Sequence, residues 1–137
     1  MRYLGLDVGR ARIGLALADD VLRTARAHRT VPRHGDAADL DAIGEVAAAF
    51  EVTRAVVGLP LNMDGTEGGS ARLARAFAAK LEKRLGLQVE FHDERLSTFE
   101  ASTRLRDQGL SARDQKGVID AEAAAVILQG WLDGRTA

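Results

Sequence analysis

The chain of 137 residues lacks the features that mark several classes of protein. It has no cysteine, so it can form no disulfide, and the cytoplasm is the expected compartment. No apolar run approaches the roughly 18 residues that a membrane span needs, and the N-terminal stretch "MRYLGLD" lacks the apolar core of a signal peptide. Aromatic residues make up only 4% of the chain, which argues against a stacking platform for unpaired bases. We therefore expect a soluble protein with no membrane partner.

The net charge of −1 hides an uneven distribution along the chain. Residues 1–34 carry seven arginines and three acids, whereas residues 35–71 carry one arginine and seven acids. The total gives no sign of the strongly basic balance that is common in nucleic-acid binders. The arginines of the first segment could solvate a hairpin surface or face a phosphate backbone, and composition alone does not decide between these roles.

The hydrophobic pattern predicts alternating strands and helices. The stretches "RYLGLD" and "RIGLALAD" predict a buried hairpin whose turn contains Gly9, and "LRTARAHRTV" predicts an edge strand ended by Pro32. A helix is expected from Asp36, its predicted N-cap. A strand in "TRAVVGLP", a helix ended by Gly86 and a strand in "LQVEFHD" follow. The last predicted elements are helices in "STFEASTRLRDQG" and "KGVIDAEAAAVILQGWLD", with "LSARDQ" as the loop between them.

This order predicts an α/β fold with a single domain over residues 1–137. Three meandering antiparallel strands followed by two parallel ones give a five-stranded mixed sheet with helices on both faces, a three-layer arrangement. In open sheets of this kind, ligands bind at the carboxyl ends of parallel strands. We therefore expect a site where Asp7, the "GLP" of residues 58–60 and the "HDER" of residues 92–95 converge.

Acidic residues from three separate segments are candidates for that site. Asp7 ends the first strand, Asp93 and Glu94 follow the fifth, and Asp120 lies beside the apolar stripe of the last helix. The acids near strand ends have an ordinary structural explanation in turns and at helix N-termini. Asp120, however, lies beside an alanine face where an unpaired carboxylate would be costly. Glu122 is expected at a polar position of the same helix. The predicted stripe comprises Ile119, Ala123, Val126, Ile127 and Trp131.

A divalent metal ion would supply a partner for these carboxylates. Oxygen-only ligand sets suit Mg²⁺ or Mn²⁺, and two such ions about 3.5–4 Å apart can activate a water and stabilise the leaving oxygen in phosphodiester cleavage. On this hypothesis Gly5 and Gly9 let backbone and substrate approach, and Arg10 and Arg12 face a phosphate backbone. The three histidines are expected at the surface or within strands, outside the ligand set.

Four blocks of the sequence resemble the signature motifs of the YqgF (RuvX) family. They are "GLDVGRARIGLALAD", "VVGLPLNMDGTEG", "DERLST" and "DAEAAAVILQGWLD", which lie in family order and span nearly the whole chain. The resemblance implies a ribonuclease H-like fold and metal-dependent nuclease chemistry, with Mg²⁺ or Mn²⁺ as cofactor and two ions expected. It implies catalytic and metal-binding roles for Asp7, Glu94 and Asp120, with Asp93 as a further ligand or the partner of one.

A second set of residues is expected to contact the nucleic-acid backbone. Gly68, Gly69 and Ser70 open a helix whose free amide groups attract phosphate oxygens, although the glycines of this loop could serve only its turns. Arg12 matches the family's basic residue before "IG", whereas Ala11 replaces a residue that is often basic in relatives. The complete set comprises Arg10, Arg12, Gly68, Gly69, Ser70, Arg72, Arg95, Ser97 and Thr98.

The resemblance leaves the substrate open. Processing of the 5′ end of precursor 16S rRNA is the first expectation, with RNA or a ribosomal subunit as partner and a monomer sufficing. Resolution of Holliday junctions in branched DNA during recombination is the alternative, and it requires a homodimer because two strands are cut symmetrically. An inactive nucleic-acid-binding module is a lesser alternative that three retained carboxylates disfavour. "LGLDVG" also begins the sugar-kinase, Hsp70 and actin ATPases, whose second lobe has no room in 137 residues.

Overall fold

The computed structural model describes residues 1–93 and 112–135, including the side chains of residues 1–93 and 120–135. The elements in this part of the chain are β1 (Arg2–Val8), β2 (Arg12–Asp19), β3 (Arg26–Pro32), α1 (Asp36–Ala49), β4 (Val52–Leu59), α2 (Gly69–Leu85), β5 (Gln88–Asp93) and α3 (Ala112–Asp133). The predicted helix in "STFEASTRLRDQG" lies outside the described residues. No helix in the described ranges is both long enough and apolar enough to cross a membrane.

The strands form one mixed sheet in the order β3-β2-β1-β4-β5. Strands β1 and β2 form an antiparallel hairpin, and β3 pairs antiparallel with β2 at the edge. Strands β4 and β5 add parallel to the other side of β1. The predicted five-stranded mixed sheet and the edge position of β3 are therefore confirmed, and β1 lies at the centre of the sheet.

Each face of the sheet carries its own apolar core. On one face Leu4 and Leu6 of β1 pack with α1 and α2, through side chains such as Ile43 and Phe77. On the other face Tyr3 packs with α3, together with buried residues of β2 and β4. Because side chains of a strand alternate between the two faces, β1 is buried on both, as its continuous apolar run predicts. The prediction of helices on both faces is confirmed.

The second core depends on an unusually close approach of α3 to the sheet. A Cβ placed on Gly5 would lie 2.8 Å from Leu128 Cβ, and one placed on Gly14 would lie 1.8 Å from the backbone oxygen of Asp120. At Gly5 the expected backbone approach is confirmed, since a Cβ there would also lie 2.9 Å from the Ala124 oxygen, but the expected substrate approach is wrong because the helix occupies that space. At Gly9 a Cβ would lie 2.9 Å from the Arg12 oxygen of the hairpin turn, so backbone approaches there too, and substrate approach at Gly9 stays a prediction.

Three predictions about helix ends can be compared with the structure. Gly86 adopts a left-handed conformation with φ of 68° and caps α2, as predicted. Asp36 is not the N-cap of α1, because Gly35 occupies that position and the Asp36 carboxylate binds Arg33 and Lys80. Helix α3 begins at Ala112, so "LSARDQ" is not a loop from that residue onward.

The buried stripe of α3 is broader than its predicted pattern. Ala123, Ile127 and Trp131 are buried as expected, whereas Val126 is only partly buried. Glu122 is 8% exposed, so its assignment to a polar, solvent-facing position is wrong. The run of alanines from residue 123 to 125 is buried throughout. Because these side chains are small, the helix packs closely on the sheet, and most of its described side chains are buried. Burial on several sides of a helix weakens the amphipathic pattern in its sequence.

Candidate active site

The fold brings Asp7 and Asp120 to the same place on the α3 face of the sheet. Leu4 and Leu6 point to the α1–α2 core, so alternation along β1 directs Asp7 to the opposite face, with Tyr3. Asp7 is paired in register with Gly14 of β2. The backbone of Asp120 lies directly against that same glycine. The predicted convergence of these two acids therefore follows from strand alternation and from the missing side chain of Gly14.

The two carboxylates differ in their partners. Asp120 accepts a hydrogen bond from Arg12 Nε at 2.5 Å, within an ion pair that is partly exposed. Asp7 is partly buried and makes no hydrogen bond or ion pair with a described residue. Burial first, and then the negative charge of Asp120, raises the pKa of Asp7 from its ordinary value of 3.8 to about 6. Among the described residues only Asp120 is paired with a guanidinium, so the described part of the site carries excess negative charge.

The other predicted acids are placed differently. Asp93 is exposed at the end of β5. His92 packs against Gly130 of α3, so alternation puts Asp93 on the other face with Phe91, whose ring lies near Arg75 of α2.

The described ranges contain no group of three acidic or histidine side chains arranged to hold a metal ion. Four predicted site residues lie outside the described residues: Glu94, Arg95, Ser97 and Thr98.

Four of the predicted backbone-contact residues lie together at the start of α2: Arg10, Gly68, Gly69 and Ser70. Arg10 is exposed in the β1–β2 turn, and its Nη1 lies 3.5 Å from Ser70 Oγ. A Cβ on Gly69 would lie 3.2 Å from Arg10 Nη2, so the absent side chain leaves room for the guanidinium. Gly68 is the N-cap of α2, and no side chain caps the helix. The arrangement places one arginine beside a helix N-terminus with uncapped amide groups, a combination suited to an anionic oxygen.

Two arginines of α2 that follow this N-terminus have different surroundings. Arg72 is exposed one turn into the helix. Arg75 instead binds the Glu67 carboxylate through two hydrogen bonds, of 2.7 and 2.8 Å, and its guanidinium lies 4.8 Å from the centre of the Phe91 ring. Arg75 is therefore poorly suited to phosphate contact, because its charge is already matched by Glu67.

The loop before α2 is ordered by its own polar groups. Leu61 and Glu67 form an isolated antiparallel bridge across it. Asp64 accepts a hydrogen bond from the Thr66 amide at 3.0 Å, and Gly65 adopts a φ of 86°. Asp64 and Gly65 therefore form a turn, which holds the loop that leads to Gly68.

Sequence reasoning missed two residues that shape this site. Gly14 allows Asp120 to approach Asp7, and an isolated glycine inside a strand pattern is a known sign of close backbone approach. Arg33 donates to the carbonyl oxygens of the β1–β2 turn, from its backbone to Ala11 and from its side chain to Gly9. No local sequence signal distinguishes Arg33 from the other arginines of residues 1–34.

Comparison with known proteins places this chain in a family. The RuvX family model, described as "Holliday junction resolvase", matches residues 1–134. A protein of Anaeromyxobacter dehalogenans named "Putative pre-16S rRNA nuclease" is 72% identical over 135 residues, covering 98% of each chain. A Myxococcus xanthus protein of the same name is 49% identical over 133 residues, covering 97% of this chain and 88% of its own.

Solved structures agree on the fold. Thermus thermophilus RuvC, determined in complex with a Holliday junction substrate, superimposes with a TM-score of 0.63 at 16% identity, covering 98% of this chain and 96% of its own. At that identity the likeness establishes the ribonuclease H-like fold. The resemblance carried by the four sequence blocks is thus confirmed by a family match over nearly the whole chain, and the protein belongs to the RuvX (YqgF) family.

Proposed function

We propose that this protein is a divalent-metal-dependent nuclease that hydrolyses phosphodiester bonds beside Asp7 and Asp120. The observation that carries the proposal is the proximity of two carboxylates from different elements, of which only Asp120 pairs with a cation, Arg12, among the described residues. A partly buried carboxylate whose pKa is raised by burial and by a like charge is costly to keep ionised. Binding of a divalent cation would offset that cost, which is the usual reason for such an arrangement.

The residues present fit a hard, oxygen-binding metal. Asp7 and Asp120 offer only carboxylate oxygens, the ligands that Mg²⁺ and Mn²⁺ prefer. We propose Glu94 as the third ligand in preference to Asp93, because Asp93 lies on the face of the sheet opposite to Asp7. Two bound ions would activate a water and stabilise the leaving oxygen. Arg12 would hold and orient the Asp120 carboxylate through one oxygen, which would leave the other oxygen available as a metal ligand.

Recognition of the nucleic-acid backbone is proposed for the region around Arg10. Its guanidinium and the uncapped amide groups of α2 face the same space above Gly69 and Ser70. Donors of this kind bind phosphate oxygens without reading sequence. We assign the same kind of contact to Arg72, Arg95, Ser97 and Thr98. Such contacts hold a strand in place and leave hydrolysis to the carboxylates.

The proposed substrate is the 5′ extension of precursor 16S rRNA, processed in the cytoplasm by a monomer or homodimer. The name carried by the Anaeromyxobacter dehalogenans relative supports this choice. Branched DNA is the second candidate, favoured by the description of the matching family model and by the junction bound to Thermus thermophilus RuvC. A junction resolvase would need two active sites in a dimer.

A paired cleavage assay tests the proposal. One substrate is a model RNA with the 5′ extension of precursor 16S rRNA, and the other is a mobile four-way DNA junction, each with Mn²⁺, Mg²⁺ or EDTA. We expect metal-dependent cleavage of the RNA, loss of cleavage in Asp120→Asn, and no loss in Asp133→Asn, an exposed acid on the same helix.

Symmetric nicking of the junction alone would favour the resolvase. Cleavage by Asp120→Asn at the wild-type rate would refute the assigned site, and binding without cleavage would support the inactive module.

A further inference from the structure

Arg33, the residue after β3, makes four hydrogen bonds that reach two separate parts of the fold. Its backbone N–H donates to the Ala11 oxygen at 3.0 Å, and its Nη1 donates to the Gly9 oxygen at 3.0 Å. Its Nε donates to Asp39 at 2.7 Å and its Nη2 to Asp36 at 2.6 Å. Arg33 therefore uses all three guanidinium nitrogens to tie the β1–β2 turn to the first turns of α1.

These contacts are largely withdrawn from water. The Arg33 side chain is 15% exposed, and Asp39 is 1% exposed. Asp39 also accepts a hydrogen bond from the His34 amide at 3.0 Å. The Arg33 guanidinium lies 5.2 Å from the centre of the Phe77 ring, which connects the cluster to α2. Buried, multiply bonded ion pairs of this kind hold a defined geometry far better than surface pairs do.

The β1–β2 turn is the segment that carries the proposed phosphate contacts. It consists of residues 9–11, and its single internal bond joins the Gly9 amide to the Arg12 oxygen at 2.9 Å. Arg10 extends from this turn toward Ser70, and Arg12 extends from its end toward Asp120. The direction of both arginines therefore depends on how the turn is held, and Arg33 takes two of its carbonyl oxygens.

We propose that Arg33 is a positioning residue for nucleic-acid binding: without touching substrate, it fixes the β1–β2 turn so that Arg10 faces the phosphate backbone and Arg12 faces Asp120. This inference rests on the proposed nuclease function. An arginine is required because a planar fork with donors on three nitrogens reaches Asp36, Asp39 and the Gly9 oxygen together. The single ammonium of a lysine cannot satisfy that geometry.

The test substitutes lysine for arginine at two positions that both join α1 to another element. Arg33→Lys changes the proposed positioning contact, and Arg84→Lys is the matched control, because Arg84 of α2 binds Asp41 of α1 away from the turn. Affinity for whichever nucleic acid the wild type cleaves is measured by fluorescence anisotropy in EDTA over a range of salt concentrations. We expect Arg33→Lys to weaken binding about tenfold and to lower the slope of log affinity against log salt by about one to two. Arg84→Lys should match the wild type.

A double-variant cycle separates positioning from a general loss of structure. If Arg33 acts through the turn, adding Arg33→Lys to Arg10→Gln should cost less affinity than it does in the wild type. Hydrogen exchange of the amides of residues 9–12 should also accelerate in Arg33→Lys but not in Arg84→Lys. Should Arg33→Lys fail to fold, Asp36→Asn, which removes one of the three side-chain contacts, is measured in its place.

The outcomes distinguish this inference from the proposed function. A wild-type salt slope in folded Arg33→Lys, or fully additive losses in the cycle with Arg10→Gln, would refute the positioning role while leaving the nuclease intact. A wild type that neither binds nor cleaves RNA or branched DNA would instead refute the proposed function, whatever the exchange rates of the turn.

Discussion

Replacement of Asp7 by asparagine should make the metal-free protein more stable at neutral pH. The carboxylate is partly buried and faces the negative charge of Asp120, and its pKa in the folded chain is about 6, against an ordinary value of 3.8. A difference of about two pH units between the folded and unfolded pKa corresponds to about 3 kcal/mol of folding free energy. Asparagine has nearly the same shape and no charge, so the variant escapes this cost.

The gain in stability should depend on pH in a defined direction. Well below pH 3.8 the carboxyl group is protonated in both folded and unfolded chains and contributes no difference. As the pH rises toward 6 the unfolded chain releases its proton first, so the wild type loses stability, and well above the folded pKa the loss is complete. The advantage of Asp7→Asn should therefore be only about 0.5 kcal/mol at pH 4 and reach about 3 kcal/mol, or roughly 10 °C in Tm, by pH 7.5.

Urea denaturation in EDTA at pH 4, 6 and 7.5 measures this effect. Glu82→Gln, a charge-removing change at an exposed position of α2, serves as the control and should show no such trend. Addition of Mn²⁺ should stabilise the wild type more than Asp7→Asn, because a ligand that binds the folded state adds to its stability. An Asp7→Asn variant that is less stable than the wild type at pH 7.5, or equally shifted at every pH, would refute the electrostatic account of this site.

Three further substitutions test the contacts that hold the fold around the site. Gly14→Ala would place a Cβ 1.8 Å from a backbone oxygen of α3 and should cost about 3 kcal/mol or more in urea denaturation. Gly44→Ala is its control: the new Cβ would meet only the end of a leucine side chain at 3.1 Å and should change stability by less than about 1 kcal/mol. Asp39→Ala should cost about 3 kcal/mol by leaving the partly buried Arg33 guanidinium without its buried partner; a loss below about 1 kcal/mol in the same titration would contradict that view.

Hydrophobic alternation was sufficient to predict the sheet because it records burial directly. The runs in β1 and β2 mark strands buried on both faces, and the polar pattern of β3 marks the edge. The order of elements then constrains the topology. The same alternation directs Asp7 toward α3, so one of the two described carboxylates could be placed on its face from sequence.

Other features depend on contacts that no local pattern encodes. Whether Glu122 is buried depends on how closely α3 approaches the sheet, which is decided by glycines on other elements such as Gly5 and Gly14. The role of Asp36 likewise depends on two partners, Arg33 and Lys80 of α2, that compete with its predicted capping function. Tertiary contacts of this kind override local propensity.

The arginines of residues 1–34 illustrate why composition could not decide between solvation and phosphate binding. Arg26 and Arg29 are exposed on β3, where charge on an edge strand discourages pairing with another chain. Arg33 is partly buried, binds Asp36 and Asp39, and serves the fold. Arg10 and Arg12 extend from the turn beside Asp7; Arg10 carries the proposed phosphate contact, and Arg12 binds Asp120. A count of charges treats these five side chains alike. Their contacts in the fold differ, and these contacts separate the solvent-facing arginines from the structural one and from those at the proposed site. Arg33 holds the turn that carries Arg10 and Arg12. The proposed roles of these two arginines therefore depend on the structural role of Arg33.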